Sequence, residues 1–141
     1  MLLGLDLGTT NVKALVTDRA GRPLAHGASP VPLYRLSNGG VEQEIEEIWK
    51  ATLAAIQQAV AQVDATRIEA IGVSSQGGAM QVMDPTGAPL GRVISWLDQR
   101  CQPYDQALNA ELGREWFLQR IRHGGSWLSV GQLERLRHEQ P

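Results

Sequence analysis

The 141-residue chain has one cysteine, so it makes no internal disulfide, and Cys101 has no Cys or His at metal-ligand spacing. A reducing, cytoplasmic setting fits. Lysine is scarce: of thirteen cations only Lys13 and Lys50 are lysines, the eleven arginines are scattered, and the net charge is -2. A nucleic-acid interface normally needs a basic stripe, which is missing here. Aromatics make up 5% of the chain, and four of them are Trp. No apolar run approaches the ~18 residues of a membrane span. The opening Met1-Leu2-Leu3-Gly4-Leu5-Asp6 lacks a basic stretch and carries an acid, so no signal peptide is expected. What is present is ordinary: 43% hydrophobic and 20% charged residues, enough for a real core in one domain or less than two.

Local patterns give an order of elements. Residues 2–7, 12–17 and 22–28 read as three strands joined by turns at Gly8-Thr9-Thr10-Asn11 and Asp18-Arg19-Ala20-Gly21, an antiparallel meander. Residues 29–40, with two Pro and two Gly, read as loop. Ile45, Ile48, Trp49, Thr52, Ile56, Ala59, Val60 and Val63 recur at three- and four-residue spacing, which predicts an amphipathic helix with Trp49 in the core. Ile68 to Ser74 reads as a strand. Ala79–Met83 and Leu90–Trp96, around Asp84-Pro85-Thr86-Gly87, read as a hairpin. From Gln102 the pattern is helical, broken at His123-Gly124-Gly125-Ser126, with a last helix over Val130–His138. Strands mixed with helices predict an α/β or α+β sheet with at least one covered face.

The chemistry concentrates at Gly4-Leu5-Asp6-Leu7-Gly8-Thr9-Thr10-Asn11. A strand delivers Asp6 to a fixed place, where a carboxylate can hold Mg²⁺ directly or through water. Gly8 lets the backbone turn without a Cβ, and Thr9 and Thr10 offer hydroxyls and N–H groups to phosphate oxygens, with Lys13 as a nearby cation. The bland alternative is a plain hairpin turn. Gln76 ends a strand, where polar residues of α/β sheets face ligands or simply brace a loop. Asp98 and Arg100, two apart, share a side as an ion pair or as part of a site. Trp96 either stacks on a ligand or packs. Glu42 and Gln43 lie near the site or are solvated loop. Trp116 and Trp127 read as packing residues. Arg114, Arg120, Arg122, Arg135 and Arg137 read as solvated helix faces.

Four segments taken in order resemble the FGGY carbohydrate kinases of the sugar-kinase, heat-shock-protein and actin ATPase superfamily. They are the Gly4–Lys13 turn, Gly40-Val41-Glu42-Gln43-Glu44-Ile45-Glu46-Glu47-Ile48-Trp49, Ile71-Gly72-Val73-Ser74-Ser75-Gln76, and Trp96-Leu97-Asp98-Gln99-Arg100. The resemblance implies a partial ribonuclease H-like, actin-like domain over residues 1–141 whose mixed sheet starts with the meander. It implies ATP and Mg²⁺, with Asp6 on the metal and Gly8, Thr9, Thr10, Asn11 and Lys13 on phosphate. Gln76, Gly77, Gly78, Asp98 and Arg100 would line or brace the side of a sugar or polyol. The family's general-base Asp is expected beyond Pro141, and a second, nucleotide-binding domain is absent. The chain alone is therefore expected to be inactive, and to self-associate or dimerise through a sheet edge left bare.

Two departures stand out. Glu44 and Ile45 replace the family's usual Asp-Pro, so the helix starts less sharply. Gly77-Gly78 stands where glycerol kinases place an Arg-Glu pair and many xylulose kinases a Met-His pair, which speaks against glycerol and leaves the sugar undetermined, with a xylulose- or gluconate-kinase-like acceptor expected rather than a glycerol-kinase-like one. The alternatives are a non-catalytic remnant or interaction module and, more distantly, another actin-like ATPase.

Overall fold

The computed structural model describes residues 1–127 and 129–139. The chain divides into two units, Met1–Tyr34 with Gln43–Gly77, and Arg35–Glu42 with Gly78–Pro141.

The first unit is the predicted meander plus a crossover. Strands β1 (Leu2–Leu7), β2 (Asn11–Thr17) and β3 (Pro23–Pro30) pair antiparallel. Helix α1 (Ile45–Val60) follows, and β6 (Ala70–Ser75) returns parallel to β1, giving the order β3-β2-β1-β6. Burial alternates along β1 and β2 with the period of two that a half-covered sheet requires. Leu3, Leu5, Val12, Ala14 and Val16 are buried with Ala51, Ala55 and Ala59 of α1. Gly4, Asp6, Lys13 and Leu15 occupy the other, exposed face.

The helix stripe is rotated from the one predicted. Its buried residues are Ala51, Thr52, Ala55 and Ala59, while Trp49 is 56% exposed. Small residues bring α1 so close that a Cβ on Gly27 would collide with the Ala55 carbonyl and crowd the Gln58 Cβ. Trp49, expected in the core, instead lines an apolar groove with Leu5, Leu7, Ile48 and Val73. Its stripe runs past the strands that α1 covers, toward β6, every residue of which is exposed. The fit at Gly27 yields a prediction: Gly27→Ala lowers stability by about 1–3 kcal/mol through overpacking. Chemical unfolding reads it, and an unchanged midpoint refutes the contact.

Helix α1 starts as expected for a chain lacking Asp-Pro. Glu44 is the cap residue but makes no side-chain cap bond, while Glu46 and Glu47 sit in the first turn. Acids there complement the helix dipole.

The second unit carries the short strands β4 (Tyr34–Arg35), β5 (Val41–Gln43) and β7 (Val93–Ile94), in the order β4-β5-β7, with Tyr34 and Gln43 belonging to the first unit. The expected hairpin over 79–96 survives mainly as bridges, Met80 to Ile94 and Met83 to Pro89. The Asp84 carboxylate closes its turn by accepting from the Thr86 and Ala88 N–H groups at 2.8 and 2.9 Å. Gly78 and Gly91, both at positive φ, interrupt regular pairing. Helix α2 (Gln102–Ile121) is broken at Gly113 (φ 73°), and Arg122 in the left-handed region ends it. Helix α3 (Ser129–Glu139) contains the predicted last helix. Arg135, expected in solvent, is 4% exposed and donates to Gln132 and Glu139. Trp127, expected to pack, is 56% exposed and stacks on His123. Among the described residues no helix is long and apolar enough to cross a membrane.

Candidate functional site

The turn between β1 and β2 is tight because the hairpin register leaves it little chain. Leu7 pairs with Val12, and the Gly8 N–H donates to the Asn11 carbonyl at 3.1 Å. A Cβ on Gly8 would lie 2.7 Å from that same oxygen, so only glycine fits. Thr10 and Asn11 are exposed, and the Thr10 carbonyl accepts from the Val31 N–H at 2.9 Å, which fixes the outgoing chain.

Asp6 precedes this turn on the exposed face, opposite α1. Its side chain is 54% exposed and lies 4.0 Å from the Lys13 ammonium, itself 67% exposed. Such a solvated pair contributes little to stability. It leaves the carboxylate accessible. Among the described residues no three His, Cys, Asp or Glu side chains gather around a metal position. Among the described residues, then, Asp6 stands in no all-protein cage. One carboxylate does fit Mg²⁺, which keeps several waters and usually takes one or two carboxylates together with phosphate oxygens.

Beneath the turn, three side chains close a ring. The Thr9 hydroxyl donates to Gln76 Oε1, Gln76 Nε2 donates to Gln43 Oε1, and Gln43 Nε2 donates to the Thr9 carbonyl, each at 2.9 Å. Gln76 is placed by the parallel ladder, its N–H on the Leu7 carbonyl at 3.1 Å. Gln43 is fully buried, so it is not solvated loop. Gly77 follows with open space where a Cβ would stand.

In the second unit, Asp98 and Arg100 are the centre of a buried brace. Asp98 accepts from the Val41 N–H (2.8 Å), the Arg100 N–H (3.0 Å), the Arg100 guanidinium (2.6 Å) and Gln132 (3.0 Å). Arg100 also donates to Glu42 at 2.7 Å. Desolvation pushes the Asp98 carboxyl up. The donors from Arg100, Val41 and Gln132 outweigh it and hold the group below the ordinary carboxylate range. With its side chain at 0% exposure, Asp98 presents no carboxylate surface to a ligand. Of the two roles expected for it, the geometry is that of the brace. Sequence reasoning had no signal for Gln132, which reaches Asp98 from 34 positions away.

Trp96 is 47% exposed, so it does not simply pack. It lines a cavity of about 280 Å³ with Gly78, Asp105, Trp127 and Gln132. A wider cleft of about 620 Å³ on the same unit is bordered by Asn38, Gln99, Arg100, Tyr104 and Glu139, and of these only Arg100 was expected at a site. Burial pushes the Cys101 thiol up to about 11, which leaves it protonated and unsuited as a nucleophile at neutral pH.

Residues 1–131 match the N-terminal domain of the FGGY family of carbohydrate kinases. The chain belongs to that family. The glycerol kinase of Chelativorans sp. is 35% identical over 105 residues, covering 72% of this chain and 21% of the relative. The solved xylulose kinase of Rhodospirillum rubrum superposes with a TM-score of 0.90 at 25% identity, covering 99% of this chain and 29% of that one. Plasmodium falciparum glycerol kinase with ADP shares the fold, with a TM-score of 0.88 at 19% identity over 99% of this chain and 29% of that one. The FGGY chain thus spans about a fifth of its curated relative and under a third of the solved ones. A glycerol kinase among its relatives leaves the acceptor open, so the expectation against glycerol does not stand on Gly77-Gly78 alone.

Proposed function

We propose that this chain is the N-terminal part of an ATP-dependent carbohydrate kinase. The parent protein would transfer the γ-phosphoryl group of ATP to a hydroxyl of a sugar or polyol. The observation that carries this reading is the exposed Asp6 carboxylate beside a glycine-tight turn whose Thr10 faces solvent. Residues 1–141 form an incomplete first domain in this reading, with the nucleotide-binding domain and the general-base Asp elsewhere in the parent.

Phosphoryl transfer through a loose transition state depends on positioning and charge neutralisation. The acceptor oxygen attacks the γ-phosphorus, the bond to the β-phosphate oxygen breaks, ADP departs, and the acceptor's proton goes to the general base. Mg²⁺, when bound, offsets the negative charge of the phosphate chain. Asp6 would hold the ion, Lys13 would add positive charge, and the Gly8–Asn11 turn with the Thr10 hydroxyl would receive phosphate oxygens. Gln76 and Gly77 present the end of β6 on the acceptor side. In the second unit Gly78 and Trp96 offer an apolar and aromatic wall suited to a sugar face. Asp98 and Arg100 act there by fixing the segment that carries Trp96. Glycerol and xylulose, named for the relatives above, bracket a triol and a ketopentose as acceptors.

A panel of sugars and polyols assayed for ATP-dependent phosphorylation tests this in the full-length protein and in the 141-residue chain. Turnover is expected of the full-length protein only. Turnover by the short chain overturns its assigned inactivity. Turnover by neither favours the second reading, a non-catalytic module that keeps the actin-like fold. The bare β6 further predicts that the short chain self-associates. A light-scattering mass equal to one chain across a broad concentration range refutes that.

A further inference from the structure

The ring beneath the turn has a fixed polarity. A backbone carbonyl can only accept, so the group that Gln43 turns toward Thr9 must be its NH₂. That leaves Gln43 Oε1 for Gln76, which must answer with its own NH₂. Gln76 Oε1 then faces the Thr9 hydroxyl, which must donate. One irreversible acceptor therefore orients three groups drawn from the turn, from β5 and from the end of β6. All three belong to the first unit.

We infer that Gln43 is a positioning residue: by setting the amide of Gln76 and the hydroxyl of Thr9 in one direction, it joins the phosphate turn and the end of β6 into a single preformed element. Its kinetic consequence rests on the kinase reading above; the hydrogen-bond polarity does not. Two results follow. The Thr9 hydroxyl, its proton engaged by Gln76, can only accept in any further contact, which suits a water or a cation better than a phosphate oxygen. Gln76 carries its NH₂ inward, so a displacement of Gln76 by an acceptor is felt at the turn. Burial makes the ring consequential, because a buried polar group that loses its partner retains its full desolvation cost.

The test uses full-length protein labelled with ¹⁵N in glutamine side chains, and the variants Gln43→Met, Gln76→Met and the double variant. In Gln43→Met the Gln76 NH₂ resonances shift and exchange faster. The kcat/KM for ATP falls about tenfold, as expected for one broken buried bond, while the acceptor KM changes less. The double variant loses no more than the worse single one, the mark of a shared network. If Gln43→Met does not fold, Gln76→Met at the half-exposed strand end decides: the Gln43 NH₂ resonances must shift there. Unmoved resonances in the folded variants, or losses that multiply in the double variant, overturn the ring. Absence of phosphorylation by the unaltered protein overturns the kinase reading instead and leaves the resonances to decide the ring by themselves.

Discussion

On the proposed kinase reading, Asp6→Asn in the full-length protein lowers kcat by about 10²–10³-fold, the scale of losing one preorganised electrostatic contact to developing charge, and leaves the acceptor KM nearly unchanged. The substitution keeps the volume and the strand. Asp6 points to the exposed face, away from the Leu3, Leu5 and Val12 core, so the sheet does not depend on its charge. On the proposed reading, what is lost is the carboxylate that would hold Mg²⁺ next to the turn. Lys13, 4.0 Å away, then stands without its partner and attracts the phosphates more strongly. Nucleotide binding thus falls less than turnover. Steady-state kinetics over a magnesium titration check this. Equal kcat in the variant removes Asp6 from the reaction.

Arg100→Met destabilises the second unit by about 3 kcal/mol or more, because removing one partner of a buried pair leaves the other charge uncompensated. Here two acids are stranded at once, Asp98 at 2.6 Å and Glu42 at 2.7 Å from the lost guanidinium. Asp98→Asn keeps a single acceptor oxygen, so it still accepts either from Val41, which reaches Oδ2, or from Gln132 and the Arg100 N–H, which reach Oδ1, and loses the other. The same cluster sets an acid limit. Desolvation raises the Asp98 carboxyl, its donors lower it further, and the net is a group more acidic folded than unfolded. Its stabilisation is present above the ordinary carboxylate pKa of about 4 and is lost as pH falls through the folded value. Unfolding midpoints at neutral pH and near pH 3 should differ more in the natural protein than in Asp98→Asn. An equal pH dependence would deny Asp98 its part.

The meander was legible because its signals are local. Alternation along residues 2–17 and the turn residues at Gly8 and Gly21 act within a few positions. The helix over 45–60 was legible in type but not in orientation. Periodicity gives a stripe, yet only the sheet decides that alanines, and not Trp49, meet it. In the site, the position of Asp6 and the need for Gly8 could be read from spacing. The ring could not: Thr9, Gln43 and Gln76 are separated by 33 to 67 positions, and an isolated Gln carries no sign of its partner. Gln43 stood inside a segment resembling the family, which marked it without saying what it touches. Arg135 and Gln132 looked like any polar helix residues. Gln132 is held by Asp98, and Arg135 by Gln132 and Glu139, partners that sequence alone does not bring together.

The Gly8–Asn11 turn rests on a ring of three uncharged side chains, while the nearby Asp6–Lys13 ion pair is exposed to solvent. Concentrated electrolyte therefore loosens Lys13 from Asp6, since mobile counter-ions shield exposed charges, and leaves the loop beneath them rigid. On the proposed reading, salt tolerance is then a matter of how strongly a nucleotide would be attracted, not of whether the turn keeps its shape.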